Sequence, residues 1–337
     1  MTKTKSMKKS GIWPKFPLLP AIRHSLFAIP FLLSACNRSP EHYFTQGNRL
    51  ALAGQAGNAI QMYNRAILLN KRYPEALTSR GMVYEKLGDR QKAKYDYEKA
   101  IAMNSAYAPA YNNLAALYMD VGDYKEAVKL LSSALEIDPA SAHAALNRGI
   151  ARYKLSDLNG AMTDLSKAIE LDPRLELAWY QRALCAARLG YPAAAVRDLD
   201  SLISADPNVA AAWFERGRLK FNAKDFSGAD RDFKKAVELK PGAASYLYWR
   251  AMAAARAGDS AGALADLDLA LKAVPAYAQA WLLRGDIYAY LKDPDSARQC
   301  FSSALQADPA NARLYQARIA ALSRPAAVPA KKPRKKR

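Results

Sequence analysis

Residue types that carry out covalent, metal or acid–base chemistry are sparse in this chain. It contains three histidines and three cysteines among 337 residues. The sequence holds no Ser/His/Asp arrangement, glycine-rich phosphate loop or cysteine pair at metal-ligand spacing. His143 falls on a predicted helix face, where a solvated side chain is the ordinary outcome. The sequence therefore argues against an enzyme, and it predicts neither a cofactor nor a metal site.

Cys36 is the residue whose surroundings give its side chain a chemical role. Residues 1–35 contain six Lys/Arg and no acid, and they end in an apolar run from Leu26 to Leu33 followed by small residues. The run has about eight residues, whereas a membrane-spanning helix needs roughly 20. This order of basic, apolar and small residues is typical of an export signal. Transfer of an acyl-glycerol group needs a good nucleophile, and the Cys36 thiol can supply it.

The stretch Leu33-Ser34-Ala35-Cys36 resembles the lipobox of bacterial lipoproteins. The resemblance implies that residues 1–35 are a signal peptide and that Cys36 becomes an acylated N-terminus attached to a membrane. Asn37 directly follows the cysteine. In enteric bacteria an Asp at this position resembles a signal for retention in the inner membrane. The Asn therefore favours attachment to the outer membrane, with the protein facing the periplasm. Residues 36–39 would form a tether of roughly 10 Å at most. The alternative is an ordinary signal with an incidental cysteine.

The basic character of the chain is concentrated at its two ends. The formal charge is +19, but residues 1–35 contribute six cations and residues 324–337 contribute seven, with no acid in either segment. The remaining residues therefore carry +6, which is mild for their number. Residues 324–337, RPAAVPAKKPRKKR, are predicted to be a disordered basic tail. Anionic lipid head groups or acidic wall polymers are candidate ligands for the tail, a solubilising role is the alternative, and nucleic acid is excluded if the protein is exported.

Residues 40–311 divide into eight segments of 34 residues without insertion or deletion. The eighth position is always Gly or Ala, and the twenty-seventh is Ala in every segment except at Leu202. Proline fills the thirty-second position in six segments. All eight segments have alanine at the twentieth position: Ala59, Ala93, Ala127, Ala161, Ala195, Ala229, Ala263 and Ala297. The chain is therefore an array of one repeated unit.

Each segment is predicted to form two antiparallel helices. Small residues let the helices approach closely, Trp179, Trp213 and Trp281 fill the gaps at the fourth position, and the proline ends a helix. This pattern resembles the tetratricopeptide repeat (TPR) family. The resemblance implies an all-α, right-handed superhelical solenoid of eight helix-turn-helix repeats, closed by a C-terminal capping helix over residues 312–323. The units are 40–73, 74–107, 108–141, 142–175, 176–209, 210–243, 244–277 and 278–311.

Two charged positions within the repeat change together. The seventh is Arg in six units, the twenty-third is Asp in five, and in the third unit they become Leu114 and Leu130. This joint change predicts ion pairs inside a unit that set helix orientation. A basic ladder for an anionic ligand is the alternative. The predicted pairs are Arg80–Asp96, Arg148–Asp164, Arg182–Asp198, Arg216–Asp232 and Arg250–Asp266.

The first helices should line the inner surface of the solenoid, if the geometry of the family holds. Units two and three would then offer polar side chains there, such as Thr78 and Asp120. The later units would offer aromatic and arginine side chains, which are typical of protein-binding hot spots. Packing of several of these rings between units is the alternative. The predicted partner-binding residues are Tyr153, Tyr180, Phe214, Arg218, Phe221, Tyr248 and Tyr290.

Together these features predict a lipid-anchored scaffold that holds partner proteins at the bacterial cell envelope, in envelope assembly, pilus or secretion biogenesis, or recruitment of peptidoglycan enzymes. A cytoplasmic or secreted scaffold without the lipid is one alternative. A self-assembling structural array is another, and the sequence does not predict the oligomeric state.

Overall fold

The computed structural model describes residues 38–322. This part of the chain contains 17 α-helices and a short 3-10 turn, Pro309–Asn311, and no β-strand. The helices are α1 Pro40–Leu52, α2 Ala56–Leu69, α3 Pro74–Lys86, α4 Arg90–Met103, α5 Ala108–Asp120, α6 Tyr124–Ile137, α7 Ala142–Lys154, α8 Leu158–Leu171, α9 Glu176–Arg188, α10 Pro192–Ala205, α11 Ala210–Asn222, α12 Phe226–Leu239, α13 Ala244–Ala257, α14 Ser260–Ala273, α15 Ala278–Tyr290, α16 Pro294–Ala307 and α17 Ala312–Leu322.

Successive helices pack in pairs, and each pair packs on the next. The odd-numbered helices α1 to α15 each begin at the residue that opens a 34-residue segment, and α17 packs on α16 at the end of the array. The predicted all-α fold of helix-turn-helix repeats is confirmed. No helix of residues 38–322 is long and apolar enough to cross a membrane. The signal peptide, Cys36, Asn37, Ser323 and the basic tail lie outside the described residues.

Close helix contact explains the small residues of the repeat. All eight alanines at the twentieth position have no solvent-exposed area. A Cβ atom on Gly81 would lie 2.5 Å from the ring of Tyr97, so only glycine lets α3 and α4 approach so closely. Leu202, which replaces the usual alanine, is buried against Leu199 and Ala183. The core is thus a series of small clusters, each shared by neighbouring helices.

Local polar contacts define where the helices begin. Six aspartates at the start of the second helices cap them, as Asp225 does by accepting from the Gly228 N–H at 2.9 Å. Three tryptophans donate their indole N–H to the carbonyl of the proline six residues earlier, as Trp213 does to Pro207 at 2.9 Å. The tryptophan bonds tie α9, α11 and α15 to the end of the preceding unit.

Candidate functional site

The five predicted Arg–Asp pairs all form within their own unit. In each, the arginine Nε and Nη2 donate to the two carboxylate oxygens, at 2.9 and 2.7 Å for Arg216 and Asp232. The same geometry holds for Arg80–Asp96, Arg148–Asp164, Arg182–Asp198 and Arg250–Asp266. The aspartates are between 1% and 7% exposed. Such bidentate pairs fix the angle between two helices.

Four of these five arginines also reach the preceding unit, which the sequence analysis missed, and Arg250 is the exception. The Nη1 of Arg216 donates to Asp200 at 2.6 Å, and Arg284, which has no aspartate partner in its own unit, lies 2.9 Å from Asp268. The sequence feature that could have revealed these contacts is a polar residue at the twenty-fifth position of the preceding unit. The other acceptors at this position are Asn64, Ser132 and Ser166, which bind Arg80, Arg148 and Arg182.

Two of the paired aspartates also bind a second cation, which the sequence analysis missed. In both cases this cation comes from the eleventh position of the unit. Arg152 lies 2.8 Å from Asp164, and Lys220 lies 2.8 Å from Asp232. The hydrogen bonds that Arg216 donates to Asp232 and Asp200 raise the pKa of Arg216, despite the opposing effect of burial. Because these guanidinium groups already face carboxylates, the network holds the array together and is poorly suited to capture an anion.

The Arg–Asp network is interrupted at the junction between units two and three. Leu114 is 4% exposed and packs with Tyr97 and Ala93 of the preceding unit. An exposed ion pair between Arg90 and Asp120, at 3.2 Å, also joins these units. Apolar packing therefore replaces the polar network at this junction.

The predicted partner-binding residues lie on successive first helices. Tyr153 is on α7 beneath the guanidinium of Arg188, with 5.4 Å from the Arg188 carbon Cζ to the ring centroid. Tyr180 is partly buried on α9, and Tyr290 at the end of α15 is 78% exposed. Tyr248 on α13 packs against Tyr277, with 5.2 Å between ring centroids. These side chains remain partly or largely accessible.

Phe214 and Phe221 have a packing role as well. The Phe214 ring stacks on Tyr246 at 4.4 Å between centroids and lies 5.8 Å from the fully buried Phe233. Phe221 meets Trp249 edge-on at 5.6 Å. Tyr246 and Trp249 belong to unit seven, so these rings join units six and seven. The sequence analysis missed both Tyr246 and Trp249, because they occupy the third and sixth positions of their unit. The predicted partner-binding residues all lie at the fifth, ninth, twelfth or thirteenth position.

Arg218 is held between aromatic rings of two units. Its guanidinium lies 5.1 Å from the Trp249 ring centroid and 5.9 Å from that of Phe214. Its Nη1 donates to the Glu215 carboxylate at 2.9 and 3.2 Å, while its Nε is buried without a hydrogen-bond partner. The Arg218–Glu215 pair is therefore a partly exposed ion pair surrounded by aromatic rings.

Tyr180 is affected by the charges of the Arg218–Glu215 pair. Burial, reinforced by the negative charge of Glu215, raises the pKa of Tyr180 to about 12. Burial and Glu215 also raise the pKa of Tyr246. Both phenols are thus neutral hydrogen-bond donors at physiological pH. Together with Tyr153, Tyr248, Arg188 and Arg218 they lie on the successive first helices of units four to seven, and we call these residues the aromatic surface.

The groove of the first three units combines a predicted polar side chain with apolar ones that the sequence analysis missed. A cavity of about 1240 Å³ is lined by residues of these units, with Asp120, Leu52, Met82 and Leu87 among its walls. Thr78, expected to face the groove, is 3% exposed and points into the packing instead. Within residues 38–322, no group of three or more His, Cys, Asp or Glu could hold a metal ion.

Comparisons with known proteins agree with this architecture. Models of the tetratricopeptide repeat family match residues 74–107, 108–141, 180–244, 215–278 and 248–312, together more than half of the chain. No curated protein sequence gives a significant match.

Several solved structures are similar to the chain. A tetratricopeptide repeat protein of Parabacteroides merdae is 20% identical, with 74% of this chain and 99% of that chain covered and a TM-score of 0.54. A chain of the APC/C hetero-tetramer Cut9–Hcn1 is 16% identical, with 87% and 58% covered and a TM-score of 0.57. YrrB, described as a TPR protein with an unusual peptide-binding site, is 25% identical, with 55% and 95% covered and a TM-score of 0.48. The similarity to the Parabacteroides merdae protein and to the APC/C chain concerns the fold alone.

Proposed function

Because the chain belongs to the tetratricopeptide repeat family, we propose that it is a lipid-anchored scaffold that captures partner proteins at the bacterial cell envelope. The repeats indicate a scaffold for protein–protein interactions, and no enzymatic family is indicated. The observation that carries the proposal is the aromatic surface, because aromatic and arginine side chains dominate the energetics of protein interfaces. Its partner would be a peptide segment or a folded envelope protein.

The anchor is proposed from the sequence around Cys36. The export-type segment and the residues Leu33 to Cys36 favour acylation, and two or more acyl chains give stable attachment where one would be marginal. Helix α1 begins at Pro40 behind the cap Ser39, whose hydroxyl accepts from the His42 N–H at 3.3 Å. Unit one would therefore sit next to the membrane, with units four to seven held away from it.

Capture by the aromatic surface is tested with paired variants. Crosslinked pull-down from envelope fractions should recover partners with the wild type and lose them with Tyr153→Ala/Tyr180→Ala. The matched control is Tyr95→Ala/Tyr191→Ala, since both of these tyrosines are 59% exposed elsewhere on the array. Equal recovery by the two double variants would refute the assignment of the surface.

The anchor is tested by metabolic labelling with a palmitate analogue. The wild type should incorporate the label and Cys36→Ala should not. An unlabelled wild type that still captures partners would favour the scaffold without lipid. Oligomers that grow with concentration in the signal-free protein would favour the self-assembling array.

A further inference from the structure

The membrane-facing end of unit one carries a second surface that the repeat does not require. It comprises the exposed side chains Arg38, Arg65, Leu68, Leu69, Lys71 and Arg72, which we call the first-unit patch. Leu68 is 73% exposed and Leu69 is 55% exposed. Large aliphatic side chains so exposed, beside unpaired cations, indicate a contact surface when they are clustered.

Packing contacts place these residues at one end of the first helix pair. The Arg65 guanidinium lies 5.6 Å from the ring centroid of Tyr43, in the first turn of α1, and Phe44 lies 5.1 Å from Tyr73 between centroids. The start of α1 and the end of α2 are therefore neighbours. Arg38, which donates to His42 at 3.1 Å, stands at the same end. The chain continues from here towards Cys36.

Comparison of units within the chain shows that two residues of the patch, Leu68 and Lys71, are particular to unit one. At the repeat position of Leu68, units three, four and six have the acidic residues Glu136, Glu170 and Glu238. The proline of six later units is replaced by Lys71, which is followed by Arg72. A packing role would bury Leu68 rather than leave it in solvent. The repeat architecture thus gives no reason for Leu68 or Lys71.

The charge of the patch favours an anionic ligand. None of its four cations takes part in an ion pair within residues 38–322, whereas Glu41 and Glu75 are the carboxylates at this end. Lysine and arginine near an anionic bilayer are each attracted to it, and neighbouring leucines can enter the interface.

We propose that the first-unit patch binds the surface of an anionic lipid membrane and so fixes the orientation of the array on its anchor. The inference deepens the proposed function, since it rests on Cys36 placing this end at the bilayer. With a tether over residues 36–39 of roughly 10 Å at most, the patch would reach the head groups while the acyl chains are inserted. The first-unit patch would then hold the aromatic surface clear of the lipid.

Vesicle co-sedimentation of the fragment 38–322 tests the patch apart from the apolar run and the basic tail, which could bind lipid themselves. The buried clusters are formed by residues between Phe44 and Tyr315, so the fragment retains its core, and circular dichroism checks its folding. It should bind phosphatidylcholine vesicles that contain about one third phosphatidylglycerol. Binding to phosphatidylcholine alone should be much weaker.

Matched charge reversals separate the patch from total charge. Lys71→Glu/Arg72→Glu should weaken binding by about tenfold or more, and Leu68→Ser/Leu69→Ser should also weaken it. Lys234→Glu/Lys240→Glu changes the net charge equally on exposed residues of unit six and should have little effect. Equal loss in both charge variants, no binding by the wild-type fragment, or equal capture by soluble polyglutamate would overturn the proposal. Palmitate labelling without vesicle binding would leave the anchor intact and reject the patch alone.

Discussion

The junction between units two and three and the junctions between units five, six and seven are built from one repeat but are held by different interactions. Leu114 joins units two and three by apolar packing, beside an ion pair whose side chains are 58% and 52% exposed. Arg216, whose side chain is 14% exposed, bridges units five and six through two carboxylates. Stacked rings around Phe214 join units six and seven.

The difference teaches that an identical backbone period leaves the chemistry of each junction open. At the junction of units six and seven, the twenty-fifth position is Lys234, which cannot accept a hydrogen bond from Arg250. Rings of both units occupy that junction instead. The aromatic surface therefore adjoins the packing between units, whereas the groove of the first three units is lined by aliphatic side chains such as Leu52 together with charged ones such as Asp120.

The largest expected effect comes from removing the shared carboxylate of unit six. Asp232→Ala leaves Arg216 and Lys220 without their common partner in a buried site. It should lower the free energy of unfolding by about 3–5 kcal/mol, measured by urea unfolding followed by circular dichroism. Partner capture should persist under conditions where the variant is folded.

A double variant that copies the residues of unit three sharpens this test. Arg182→Leu/Asp198→Leu reproduces the Leu114 and Leu130 combination and should change stability far less than Asp198→Ala alone, because no charge is left buried. A double variant as unstable as the single one would show that the pair stabilises the fold beyond its own desolvation.

The next largest effect concerns the junction of units six and seven. Phe214→Ala removes contacts with Phe233, Tyr246 and Trp249 and should lower the free energy of unfolding by about 3 kcal/mol. Tyr180→Ala should cost less stability while still weakening partner capture. If the two variants lose equal stability, the distinction between packing and accessible rings fails.

An alkaline titration probes the aromatic surface further. The pKa of Tyr180 is raised to about 12 in the folded protein, above the ordinary value of 10 in the unfolded chain. The unfolded state therefore loses its proton first, and this contribution to stability is complete below pH 10 and is lost as the pH rises to about 12. Tyr180→Phe should reduce the decline in melting temperature over that window. Tyr95→Phe, which removes an exposed phenol, is the control, and identical declines in all three proteins would contradict the assignment.

The smallest effect is expected at the junction of units two and three. Arg90→Ala breaks the ion pair with Asp120, and exposed pairs contribute about 0.2–1 kcal/mol. The loss should shrink further at high salt, because both side chains are solvated. A loss close to that of Asp232→Ala would mean that this surface pair, rather than Leu114 packing, joins the two units.

The sequence alone determined the helices, their pairing and the ion pairs within a unit. These features follow from a period of 34 residues, from alanines that no larger residue could replace, and from the joint change to Leu114 and Leu130. Each depends on contacts inside one helix pair, so each leaves a mark at a constant spacing. The family resemblance added the expectation of an inner surface lined by first helices.

Only the tertiary structure decided which residues face the neighbouring unit. The bond from Arg216 to Asp200, the packing of Trp249 on the rings of unit six, and the burial of Thr78 all depend on the rotation between successive units. That rotation is the sum of many side-chain contacts along the junction, and no single spacing in the chain encodes it.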